Sequence, residues 1–244
     1  YGGTTWTDIV NTTTSLTYSN ITLTTQYRAV VQSGVCSSAN SSAATITVNP
    51  LSVGGTVGTS TSVCTGTNSG TLNLTGNTGS VVKWQSSTNG GSTWTDIVNT
   101  TTSLTYTNIT LTTQYQAVVQ SGVCSSANSS AATITVNPVS VGGAVNSNAT
   151  VCSGSNSGTV YLTGQTGSVV HWQSSTDGGT TWTDIVNTTT SQTYNNLTQT
   201  TLGRAVVQNG VCSSVNSGNV IITVNPVSVG GTVNSNATVC SGSN

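Results

Sequence analysis

The stretch Trp84-Gln-Ser-Ser-Thr-Asn-Gly-Gly-Ser-Thr-Trp94-Thr-Asp-Ile97 returns almost unchanged as Trp172 to Ile185, and its second half has already occurred as Gly2 to Ile9. Trp6, Trp94 and Trp182 stand 88 residues apart, and so does everything around them. Between Gly2–Pro50 and Gly90–Pro138 there are three differences: Thr4/Ser92, Ser19/Thr107 and Arg28/Gln116. Between Val141–Asn156 and Val229–Asn244 there is one, Ala144/Thr232. Self-similarity at a fixed period overrides any domain count taken from length, because each copy must be one folding unit. Each copy closes on Val-Asn-Pro, at Pro50, Pro138 and Pro226. Proline ends a strand by removing a ladder donor, so the boundaries are placed there. The expected organisation is part of a domain over 1–50, complete domains over 51–138 and 139–226, and the start of another over 227–244. The sequence starts and ends inside a copy, which reads as a piece of a longer array whose missing ends could carry any targeting signal.

Within one copy the periodicity is that of strands. Ser, Thr, Asn and Gly dominate, which raises disorder as a rival. Against it, Val, Ile, Leu, Trp and Tyr fall at alternating positions, proline is scarce, and abundant Thr and Val favour β structure. In 51–138 the alternation and the turn residues predict strands over Val53–Val57, broken by Gly54-Gly55, then Thr61–Cys64, Thr71–Thr75, Ser80–Ser87, Ser92–Val98, Ser103–Asn108, Thr113–Gln120 and Ala131–Val136. Ser80–Ser87 and Ser92–Val98 form a hairpin whose turn, Asn89-Gly90 (Asp177-Gly178 in the next copy), is expected to supply the positive φ angles. Short strands at roughly ten-residue intervals, with no helical periodicity, are the pattern of an immunoglobulin-like β-sandwich. The fold class is therefore all-β: tandem immunoglobulin-like sandwiches of about 88 residues, head to tail in a rod.

That comparison extends to single residues. Trp84, and Trp172 in the next copy, lie on the third main strand, where such domains bury a Trp between the sheets. The places of the usual sheet-bridging cysteines hold Leu72 or Leu74 and Ala117, an apolar contact instead of a disulfide. The tyrosine expected two residues before Ala117 is Tyr115, but Gly203 stands there in the third copy, so the corner is not uniform along the array.

The cysteines lie elsewhere, in two series with the same spacing: Cys36, Cys124 and Cys212, and Cys64, Cys152 and Cys240. Two per copy, with no CxxC pair and a single histidine, point to disulfides in an oxidising compartment rather than to zinc. Cys124 follows the turn between the last two strands, and Cys64 precedes the second strand at the opposite pole. A seven-residue strand spans roughly 23 Å, whereas a disulfide needs Cα atoms within about 7 Å. The habitual assignment for two cysteines per domain is 64–124 and 152–212. The rival, where the lower pole of one domain meets the upper pole of the next, is 64–212 between domains.

Charged residues make up 3% of the chain. Phosphate neutralisation, and with it nucleic-acid binding, has nothing to work with, and anionic membrane surfaces are disfavoured for the same reason. No segment approaches eighteen consecutive apolar residues, so membrane insertion by a helix is not expected. No cofactor or metal is expected either. His171 replaces Lys83, an interchange that suits an outward-facing strand residue better than a catalyst. The recurring Asp8, Asp96 and Asp184 supply one acid per copy, too few for a calcium cage, and read as a turn or hairpin cap. No base stands near any serine, so the chain is not read as an enzyme. Trp6, Trp94 and Trp182 at the hairpin tip are the candidates for surface contact, by stacking on sugar or by packing on the sandwich. Sequons begin at Asn11, Asn20, Asn40, Asn73, Asn99, Asn108, Asn128, Asn148, Asn187, Asn196 and Asn236, with Asn11, Asn99 and Asn187 as the recurring candidates for glycosylation.

The phrases Thr-Val-Cys-Ser-Gly (150–154), Trp-Gln-Ser-Ser-Thr-Asp-Gly-Gly-Thr-Thr-Trp-Thr (172–183), Thr-Gln-Tyr-Arg-Ala-Val-Val (25–31) and Gly-Val-Cys-Ser-Ser-Ala (34–39) resemble the Ig-like repeats of large Bacteroidota surface proteins, including gliding-motility adhesins and other type IX secretion products. The resemblance covers essentially the whole chain. It implies an extracellular, cell-surface repeat used as a stalk, adhesin shaft or filament, with no catalytic residues. Two functions are weighed: a disulfide-reinforced structural array whose partners are adjacent repeats or other copies of itself, and a module binding surface glycans through its hairpin Trp residues. A neutral Thr/Ser surface leaves strand edges without the charge that normally keeps them apart, which favours assembly of chain against chain.

Overall fold

The computed structural model describes residues 5–242; the first four residues of the partial copy 1–50 and the last two of 227–244 lie outside the described residues. The chain divides into two compact units, one running to Thr61 and again from Ser69 to Thr135, the other from Ser62 to Asn68 and from Val136 onward. Alternation builds the strands: in Ser69–Thr75, Leu72 and Leu74 are buried while Thr71, Asn73 and Thr75 face solvent. Among the described residues there is no helix, hence none long and apolar enough to cross a membrane.

The second unit contains the complete copy 139–226. One sheet has three antiparallel strands, Ala144–Asn146, Ser157–Thr163 and Ser191–Asn195. The other runs in the order Ala149–Cys152, Val220–Asn225, Thr201–Gln208, Ser168–Ser175 and Thr183–Ile185, with Val215–Asn216 paired alongside Thr201–Gln208. All its pairs are antiparallel except the first, where Ala149 aligns with Ile222 and the strands run parallel. Val160 and Leu162 of the first sheet meet Trp172, Val207 and Ile222 of the second in one buried core. This is an immunoglobulin-like sandwich, with the buried Trp on the strand such domains use for it. The copy 51–138 has the same strand order. There Tyr106 and Tyr115 stack with ring centroids 6.1 Å apart, an arrangement the first copy repeats with Tyr18 and Tyr27.

In the partial copy 1–50, Thr25–Tyr27 pairs with Ala44–Ile46 and Val30–Val31 with Ala39–Asn40. Val30 and Val31 are exposed where their counterparts Val118 and Val119 are buried.

Three details depart from the reading of the sequence. The strand expected over Val53–Val57 shrinks to Thr56–Val57, with Val53 making a single bridge to Thr78. Gly54 comes so close to the Asn128 carbonyl that a Cβ would collide with it, and Gly55 turns left-handed at φ 74°. The hairpin arm expected over Ser92–Val98 is confined to Thr95–Ile97, because the turn is made by Gly90 (φ 70°) and Gly91 (φ 85°) rather than by Asn89-Gly90. The two-residue strand Ala127–Asn128 pairs with Thr113–Gln120 and was too short to read from alternation.

Candidate functional site

The seat of the disulfide is built by one tight turn and the Asn-Pro that closes the preceding copy. In the second unit, Gly210 turns left-handed at φ 53°, and Cys212 N–H donates to Asn209 O at 3.0 Å. The turn is clamped to the chain around Pro138: Asn209 N–H donates to Ser140 Oγ at 2.9 Å and Asn209 Nδ2 to Pro138 O at 2.8 Å. Cys212 is thereby buried, its sulfur 3.2 Å from Pro138 O. Thr65, next to Cys64, donates its N–H to Asn137 O at 2.8 Å. Both cysteines thus converge on Asn137-Pro138, and they are bonded, with Cα atoms 5.0 Å apart and a sequence separation of 148.

The bond is 64–212, and the pairings 64–124 and 152–212 are not formed. The reason is where the turn lands. Cys124 points at Asn49 O (3.7 Å) and Pro50 O (3.4 Å), the close of its own preceding copy, not at Cys64. Ser121 N–H donates to Ser52 Oγ at 2.9 Å, the same clamp one copy earlier. At the other end, Ser153 N–H donates to Asn225 O at 2.8 Å, placing Cys152 as Cys64 is placed. Cys36, Cys152 and Cys240 are exposed.

Trp84 and Trp172 are fully buried. Each indole N–H donates at 2.9 Å to a backbone carbonyl seventeen residues on, Thr101 O or Thr189 O. That carbonyl is held by an asparagine turn: Asn99 Oδ1 accepts from Thr101 N–H (2.8 Å) and Thr101 Oγ1 (2.9 Å), and Asn99 Nδ2 donates to Ser103 O at 2.9 Å. Asn187 and Asn11 make the same bonds to Ser191 O and Ser15 O. The nitrogen that would carry a glycan is therefore engaged in the turn that anchors the core Trp. Sequence reading marked these residues as sequons and missed this role; the Asn-Thr-Thr phrase following Asp-Ile-Val in every copy was the signal.

At the hairpin tip, Ser87 Oγ accepts Gly91 N–H at 2.9 Å and Asn89 Oδ1 accepts Thr93 N–H at 3.0 Å. Asp177 takes the part of Asn89. The hydroxyl and N–H of Thr181, and then the Ser175 hydroxyl, hold its carboxyl well below the usual carboxylate range. The cap of the hairpin is thus Asn89 or Asp177. Asp96, read from sequence as a turn or cap, is instead a cross-strand partner. It accepts from Lys83 Nζ at 2.7 Å and Gln85 Nε2 at 2.8 Å, and the Lys83 bond foremost lowers its pKa. Asp184 meets His171 Nε2 at 3.3 Å in the same way.

Trp94 and Trp182 are half-buried. Trp182 Nε1 donates to Gly179 O at 3.0 Å, and the Arg204 guanidinium lies 3.8 Å from the ring centroid. Arg28 lies 4.0 Å from the Trp6 ring. Cation–π contact thus occupies a ring face in two copies. In the other copy Gln116 replaces the arginine and bonds Gln85 Oε1 at 2.9 Å. Among the described residues no three His, Cys, Asp or Glu side chains gather to hold a metal ion.

No curated protein matches the sequence. Among solved structures, a three-Ig segment of titin is similar at 13% identity, covering 84% of this chain and 75% of that one, with a TM-score of 0.46. Immunoglobulin domains 1–4 of Sidekick-1 are similar at 13% identity, covering 72% of this chain and 49% of that one, TM-score 0.45. Extracellular domains 3–5 of Drosophila OTK are similar at 13%, covering 83% and 71%, TM-score 0.42. One family model matches three times in succession, over residues 2–50, 53–138 and 141–226. With that match across nearly its whole length, the chain belongs to the family described as a domain of unknown function (DUF8696).

Proposed function

We propose that this chain is a non-catalytic, extracellular structural array, of the kind that forms the shaft of a cell-surface adhesin or filament, with adjacent repeats and further copies of itself as its partners. The observation that supports this is the Cys64–Cys212 bond, which ties a segment of one repeat to the body of the next. Disulfides persist in oxidising compartments, and the resemblance to Bacteroidota surface repeats points the same way. The seat at Asn137-Pro138 has counterparts beneath Cys124 and beside Cys152. On this reading Cys124 bonds the counterpart of Cys64 in a preceding repeat, and Cys152 the counterpart of Cys212 in a following one. Non-reducing peptide mapping of native material, with immunogold electron microscopy of the producing cells, tests it. Cross-links that all span repeat boundaries, and label on surface appendages, are expected. Links within single repeats, or label confined to the cell interior, would overturn it. Glycan binding is the second reading and rests on Trp94, in the copy where Gln116 stands in the arginine's place and bonds Gln85 instead; silence of the intact chain on a glycan array would remove it.

A further inference from the structure

Five positions in and beside the core change together between the second and third copies, and the changes do not balance. Leu72, Leu104 and Tyr115, all buried, become Val160, Gln192 and Gly203, while Ala132 becomes Val220 and Gln114 becomes Leu202. A cavity of about 330 Å³ opens in the third copy, lined by all five replacements together with Tyr194. In the second copy Tyr115 occupies the corresponding place. Its ring stacks on Tyr106, and buried Thr113, two residues before it on the same strand, spends its own O–H on Leu111 O at 2.8 Å.

The third copy keeps both halves of that reception. Tyr194 stands where Tyr106 does, its hydroxyl end over Gly158 as Tyr106 lies over Gly70. It has lost the ring that stacked on it and is half-buried rather than buried. Thr201 lines the cavity, and its O–H already donates to Gln199 O at 2.9 Å. Toward the cavity it can only accept.

We propose that this cavity binds one phenolic ring, stacked on Tyr194 and donating its hydroxyl to Thr201, in the place that Tyr115 fills one repeat earlier. A void of about 150 Å³ in an apolar core suffices for benzene, and ligand pockets begin near 300 Å³. Val220 recovers only part of the lost volume, since it approaches the space above Gly203 to 3.1 Å from a built Cβ but leaves the rest open. The site is independent of the structural role proposed above, because it concerns the interior of one copy and not the junction.

The test titrates the ¹⁵N-labelled full chain with p-cresol and follows amide and indole resonances. Saturable shifts at Trp172 Nε1–H, Gly203 and Val220 are expected, with a dissociation constant on the order of 1 mM or tighter. Toluene lacks the donor and is expected to bind roughly tenfold more weakly, the worth of one hydrogen bond. The double variant Gly203→Tyr with Val220→Ala restores the second copy's pair and is expected to abolish binding and raise the melting temperature. N-acetyltyrosinamide separates the sources: binding by p-cresol alone assigns a free small molecule, and binding by both assigns a tyrosine side chain as well. Absence of saturable shifts, toluene binding as tightly, or shifts undiminished in the double variant would overturn the proposal. Should that variant fail to fold, intermolecular NOEs from p-cresol to Tyr194 and Leu202 in the native chain decide it, and their absence sinks it.

Discussion

Trp84 shows how a residue becomes indispensable through two unlike contacts, an apolar ring packed between sheets and one N–H that must find an acceptor. Trp84→Ala is expected to cost about 3–5 kcal/mol, read from the thermal or urea unfolding of the chain. Asn99→Ala should cost about 1–2 kcal/mol by the same measurement, because it frees the turn that presents Thr101 O to the indole. That Trp84 belongs to the core was legible from its place on the third main strand. That its acceptor is Thr101 O was not, since the bond joins residues whose nearness only the sandwich creates. Asp177 carries a pH signature. Its folded pKa lies below the unfolded value of about 3.9, so its contribution is fully present above that pH and is lost as pH falls through and below it. Asp177→Asn copies Asn89 and removes the titration. Melting temperatures of the two proteins are expected to diverge at neutral pH and to draw together toward pH 2. Parallel curves across that range would show that Asp177 does not carry the effect.

Among the elements, the glycines separate two kinds of constraint. Gly178 is left-handed at φ 74° with nothing within 4 Å of a built Cβ, whereas Gly142 has an ordinary φ but would drive a Cβ into the Asn216 carbonyl. Gly178→Ala is expected to cost about 1 kcal/mol, the conformational term alone. Gly142→Ala should cost about 1–3 kcal/mol as an overpacking change in backbone that cannot yield. The two variants compared in one denaturation series distinguish them. The long strands were legible because each buries one face, as Leu72 and Leu74 show. The pairing of Ala149–Cys152 with Val220–Asn225 was not, because a parallel partner some seventy residues away leaves no local mark. The Gly90-Gly91 turn was misplaced by one residue for a different reason: Asn89 acts through its side chain as a cap instead of through its own backbone angle.

For the whole molecule, the 88-residue period and the two cysteine series were plain in the sequence, and the choice between 64–124 and 64–212 was not. It depends on which carbonyls the turn after Gly122 or Gly210 reaches, and those belong to the close of the preceding copy. Reduction, or Cys64→Ser, is expected to cost about 2–4 kcal/mol of stability in the second unit, seen as a lower melting temperature in reductant. The bond also has a mechanical meaning. Force applied to the two ends of the chain travels through the sulfurs and bypasses the chain between them, a sequence separation of 148. About 530 Å of extended backbone is thereby held out of reach. In single-molecule stretching that length is released only after a reductant is added, so the redox state of the surroundings would set how far the molecule can lengthen before it breaks.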